Sequence, residues 1–92
     1  MNIYYLSYEC KPLPGHENAL RYSGMVADVF VSNESEDGVE ERVEMHFKRE
    51  GWEVERMDYA ELVTAASAHD ARFGALYHAS LKEGIAALFS PY

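Results

Sequence analysis

Apolar and polar residues alternate from Ile3 to Cys10, so that Tyr4, Leu6, Tyr8 and Cys10 share one side and Tyr5 lies on the other. That period of two predicts a strand. Lys11-Pro12-Leu13-Pro14-Gly15 then stops it, because each proline fixes φ and removes a backbone donor and the glycine permits a turn. The loop has room for one short helical turn near Glu17 to Leu20. A second strand is expected from about Tyr22 to Ser32, with Met25, Ala27, Val29 and Val31 on one face and Val26, Asp28 and Phe30 on the other. Apolar residues on both faces mark it as a central strand.

Ser32-Asn33-Glu34-Ser35-Glu36-Asp37-Gly38 is rich in residues that accept hydrogen bonds from free helix amides, and its acids suit the positive end of a helix dipole. A helix is expected to start by Asp37. Val39, Val43 and Phe47 recur at helical spacing with His46 beside them, and Gly51 is placed for a left-handed C-terminal cap. Trp52 and Val54 alternate with Glu53 and Glu55, predicting a third strand to about Tyr59. The stretch from Ala60 to Ala66 is compatible with more strand or with the start of a helix. Ser67 and Asp70 have capping-box spacing, and Phe73, Leu76, Tyr77 and Leu81 form one stripe, which predicts a second helix from about Ala68 to Glu83. Ile85 to Phe89, followed by Pro91, reads as a final strand.

Four strands and two helices in this order predict an α+β fold, a four-stranded mixed or antiparallel sheet with both helices packed on one face. At 92 residues there is one core and one domain, 1-92. An apolar content of 48% is ordinary for a chain that folds and far from that of a disordered one. The apolar runs are much shorter than the roughly 20 residues of a membrane span, and the start lacks a signal peptide's basic flank, so a cytoplasmic location is expected. Lone Cys10 excludes an internal disulfide and agrees with a reducing compartment.

Charge changes this picture most. The net charge is −8, which argues against nonspecific nucleic-acid binding. The span from Glu34 to Glu61 carries eleven acids against Arg42, Lys48, Arg49 and Arg56, so −7 of the total falls there. Glu36, Glu40, Glu44 and Lys48 follow at i,i+4 spacing, placing three carboxylates along one helix edge, with Asp37 and Glu41 beside them. Such a stripe is either a solvated face that aids solubility or a surface that stands in for phosphates before a basic groove. Seven tyrosines either fill the sheet core or supply anchors to a partner; Tyr5 and Trp52 are the candidate anchors beside the acids Glu36, Asp37, Glu40, Glu41, Glu44, Glu53 and Glu55.

No reaction is written in the remaining residues. His16, His46, His69 and His78 lack metal-ligand spacing, Cys10 has no companion cysteine, and Ser80 and Ser90 stand in no nucleophile-elbow context. Gly15, Gly24 and Gly38 make no phosphate loop. No cofactor, metal or catalytic residue is expected. The loop from Lys11 to Arg21, with His16, is the one locally cationic stretch outside the acidic half.

In size, acidity, lack of a catalytic motif and α+β pattern, the chain resembles the small proteins with which phages and mobile elements block bacterial defence, the anti-CRISPR proteins among them. That class shares no residues to carry over. The resemblance implies stoichiometric inhibition by binding a basic nucleic-acid groove of a bacterial protein or ribonucleoprotein complex in the bacterial cytoplasm, with no bond made or broken. An immunity protein against a nuclease toxin, a homodimeric assembly module built on the sheet, and a small enzyme or ligand-binding domain using Cys10, His46, His69 or tyrosines are the alternatives.

Overall fold

The computed structural model describes residues 2–63 and 71–92. Its elements are β1 (Asn2–Pro12), α1 (Asn18–Arg21), β2 (Met25–Asn33), α2 (Val39–Arg49), β3 (Trp52–Val63), α3 (Ala71–Glu83) and β4 (Ile85–Pro91). The four strands form one antiparallel sheet in the order β3-β1-β2-β4. The expected α+β class and four-stranded sheet are both present, and β2 is central. The capping-box residues Ser67 and Asp70, the expected helix start at Ala68, and His69 lie outside the described residues.

Several boundaries move for local reasons. Strand β1 runs past Cys10 because Lys11 and Pro12 still pair with Glu53 and Trp52. Tyr22 caps α1 instead of opening β2, which begins at Met25. Helix α2 starts at Val39 because Gly38, at φ 82°, holds a left-handed conformation that cannot continue a helix backwards. Asp37 and Glu36 therefore precede the helix, in a turn closed by the Asn33 side-chain amide, which donates to the Ser35 and Asp37 carbonyls. Strand β3 extends to Val63, and β4 extends through Pro91 beside Met25.

One face of the sheet carries Leu6, Tyr8, Cys10, Met25, Ala27, Val29 and Val31, and Val39, Val43 and Phe47 of α2 close over them. Phe47 is fully buried and meets Tyr8 edge-on at 5.4 Å between ring centroids and Phe89 at 5.6 Å. The other face carries Tyr5 and Phe30, which pair across β1 and β2, and Phe73 of α3 packs on both at 5.5 and 5.9 Å. Neighbouring residues on a strand point to opposite faces, so α2 and α3 flank the sheet on opposite sides instead of sharing one. Chain geometry explains this: β3 and β4 occupy opposite edges, and α3 carries the chain between them across Tyr5 and Phe30, apolar rings that would otherwise meet water. Among the described side chains of α3 the buried one is Ser80, which donates to the Tyr77 carbonyl at 2.7 Å, whereas Leu81 of the expected stripe is exposed.

Among the described residues the core contains one polar fault. The Tyr8 hydroxyl is buried without a hydrogen-bond partner, and burial, followed by the charges of Glu40, Glu44 and Cys10, holds its phenol well above the usual pKa. An unpaired buried hydroxyl costs about 1–3 kcal/mol. Tyr8→Phe is therefore expected to stabilise the fold by about 1 kcal/mol, read as a higher urea midpoint at unchanged slope. A lower midpoint would mean that the hydroxyl is paired in solution.

Candidate functional site

The acidic segment is delivered by the turn before α2, the exposed side of α2, and β3. Glu36 and Asp37 stand exposed in the turn, and Glu40, Glu41 and Glu44 stand exposed on the helix. Glu40 and Glu41 occupy the first helical turn, where a carboxylate also offsets the positive end of the dipole by roughly 0.3–1 kcal/mol. Glu44, one turn further on, has no such structural reason. Among the described residues the ion pairs are those of Arg56 with Glu9 and Asp58, at 2.7 and 2.6 Å, so Lys48 does not neutralise Glu44. The helix segregates its charge, because Arg42, His46 and Arg49 line a separate shallow hollow with Met45 and Ile85. Arg42 is occupied structurally, donating to the Ser32 carbonyl at 2.7 Å and the Asn33 side chain at 3.1 Å.

Between the acidic turn and the end of β3 lies an open groove of about 520 Å³. Tyr4, Leu6 and Leu62 give it an apolar floor and wall, and Glu36, Asp37, Glu40 and Glu41 rim it. Leu62 sits here because it pairs with Tyr4 across β1 and β3, and it remains 54% exposed. Sequence reasoning misses Tyr4 and Leu62 as site residues: their meeting depends on a pairing between distant segments, and Leu62 falls in the stretch whose conformation the pattern leaves open.

Glu53 and Glu55 are not part of this group. Glu53 pairs with Lys11 on the face opposite α2, and Glu55 falls at a register shift, between Val54 opposite Cys10 and Arg56 opposite Glu9. Trp52 is only 5% exposed and packs on Tyr22, so it is a core residue and is not offered to a partner. Tyr5 is half-buried; its ring lies among Phe30, Tyr59 and Phe73, and its hydroxyl donates to Asp28 at 2.6 Å. Its aromatic surface serves the second core layer.

The loop from Lys11 to Arg21 is docked by His16, whose imidazole lies against Gly51 where a Cβ would collide. Gly51 is held at φ 87° as well, so a glycine there meets two demands, ending α2 and admitting the loop. Asn18 ties the same junction by donating to the Glu50 carbonyl at 3.0 Å.

Cys10 is fully buried, and burial followed by the charge of Glu55 pushes its thiol from 9.0 up to about 12. The thiolate is the reactive form, so native Cys10 is expected to resist a thiol reagent at neutral pH and to react once the chain is unfolded in urea. Equal rates in both states would contradict this burial. The unfolded thiol ionises from about pH 9 while the folded one keeps its proton, so this group's contribution to stability is full below 9 and declines as pH rises towards 12.

Among the described residues no three of His, Cys, Asp and Glu converge as metal ligands, and no helix is long and apolar enough to cross a membrane. No protein-family model matches the chain, and no curated protein or solved structure matches it significantly.

Proposed function

We propose that the protein is a non-enzymatic inhibitor that binds a basic nucleic-acid-binding surface of a bacterial protein or ribonucleoprotein complex, in the manner of anti-CRISPR proteins. The observation that carries this reading is the set of exposed carboxylates, Glu36, Asp37, Glu40, Glu41 and Glu44, gathered around the start of α2 with no ion-pair partner among the described residues. Like charges at Glu40 and Glu44 disfavour the helix by a few tenths of a kcal/mol, roughly, and return no packing. A basic partner would relieve that repulsion and gain steering from the field. Inhibition is by occupancy: the carboxylates take positions meant for phosphates.

Affinity capture from a bacterial lysate at low and high salt, with mass-spectrometric identification, tests the reading. A nucleic-acid-binding protein retained at low salt and released at high salt is the expected result. Recovery of nothing but further copies of this chain would replace the inhibitor with a self-associating module.

A further inference from the structure

The groove at the start of α2 combines two chemistries that a solvated acidic face does not need together. Its floor is apolar, formed by Tyr4, Leu6 and a largely exposed Leu62, and its rim is anionic, with Glu36, Asp37, Glu40, Glu41 and Glu61 and no cationic side chain among the described residues that line it. The groove is open to solvent and, at about 520 Å³, has room for a side chain reaching in from a partner. A metal ion fits poorly, because it needs oxygens on all sides, whereas here the carboxylates border a hydrocarbon wall. The complementary group has a cationic head on an apolar stem. Arginine matches best: its methylenes can lie along Leu62, its guanidinium can stack on the Tyr4 ring, and its planar fork can reach more than one carboxylate. Lysine offers a more strongly hydrated point charge without that fork.

We propose that this groove receives an arginine side chain from a basic segment of the partner. The inference rests on the inhibitor reading above and names the chemistry of its contact. Binding would involve no covalent step. The arginine would be the anchor, and Glu44, outside the groove lining, would contribute steering alone.

The test is an NMR titration of the isotope-labelled protein with a capped arginine-leucine dipeptide, in which the guanidinium is the sole charge, beside its citrulline counterpart. Saturable shifts confined to Tyr4, Gly38, Glu40, Glu41 and Leu62 are expected with arginine, and the citrulline peptide should bind at least about tenfold more weakly. Glu41→Gln and Leu62→Ser, both at exposed positions, should each weaken the arginine peptide several-fold while the remaining spectrum stays folded. Equal response to citrulline, shifts spread over every acidic residue, or undiminished binding by Leu62→Ser would overturn the groove. Capture from lysate separates the two claims. If Leu62→Ser retains the salt-released partner as wild type does, the groove inference fails and the inhibitor reading stands; if wild type captures no such partner while the peptide shifts persist, the inhibitor reading fails alone.

Discussion

Phe47→Ala is expected to lower stability by about 3–5 kcal/mol, the largest effect of any single truncation in the α2 layer. Phe47 is fully buried where α2 meets the sheet, and it touches rings from β1 (Tyr8) and β4 (Phe89). Its loss leaves a cavity that two strands and a helix would have to collapse together, which a close-packed interior resists. For a domain of this size each kcal/mol moves Tm by roughly 4–8 °C, so the melting midpoint should fall by more than about 10 °C. Leu81→Ala, at an exposed position of α3, is the contrast and should change stability by no more than about 0.5 kcal/mol. Thermal melts of the two variants beside wild type check both; a Phe47→Ala midpoint close to wild type would mean that α2 does not seal the core.

The second large effect is on association. Reversing Glu40, Glu41 and Glu44 together to lysine moves the net charge from −8 to −2, since each reversal adds two positive units. The association rate with a basic partner of the kind proposed should fall at least about tenfold at low salt, because steering by an extended field is worth about 10–1,000-fold and is screened by added salt. The difference should shrink at high ionic strength. Helix α2 itself should survive: loss of the first-turn acids Glu40 and Glu41 weakens the dipole interaction by roughly 0.3–1 kcal/mol each, which the buried side of Val39, Val43 and Phe47 outweighs. Circular dichroism confirms the fold and stopped-flow binding reads the rate. An unchanged rate in a folded triple variant would remove α2 from the interface.

The sequence pattern predicts the elements whose own period is unbroken. Strand β1 alternates, β2 is apolar on both faces, and the Val39, Val43 and Phe47 spacing marks the buried side of α2. Strand β3 is legible as a strand to about Tyr59, but its faces can be read only from Trp52 to Val54, because register shifts at Glu55 and Asp58 each add a residue opposite β1 and reset which face the following side chains occupy. Strand β3 is also an edge strand rich in charged residues, a feature that discourages pairing with other chains. The placement of α3 follows from a signal already present in β2: Val26 and Phe30 make its second face apolar, and such a face needs its own cover. The acidic residues are legible as a charge run, yet their separation into a group around α2 and the two outliers Glu53 and Glu55 depends on β3 register. Trp52 reads as an interface aromatic by type alone, and its burial against Tyr22 comes from the long-range packing of the loop before β2.

If the carboxylates around α2 take the place of phosphates on a basic partner, this protein and nucleic acid must compete for that partner. Labelled nucleic acid bound to the captured partner is titrated with this protein while fluorescence anisotropy and sedimentation are followed. The predicted result is release of the nucleic acid in proportion to the protein added, with no species containing all three components. A stable ternary complex, with the nucleic acid still bound beside this protein, would contradict it.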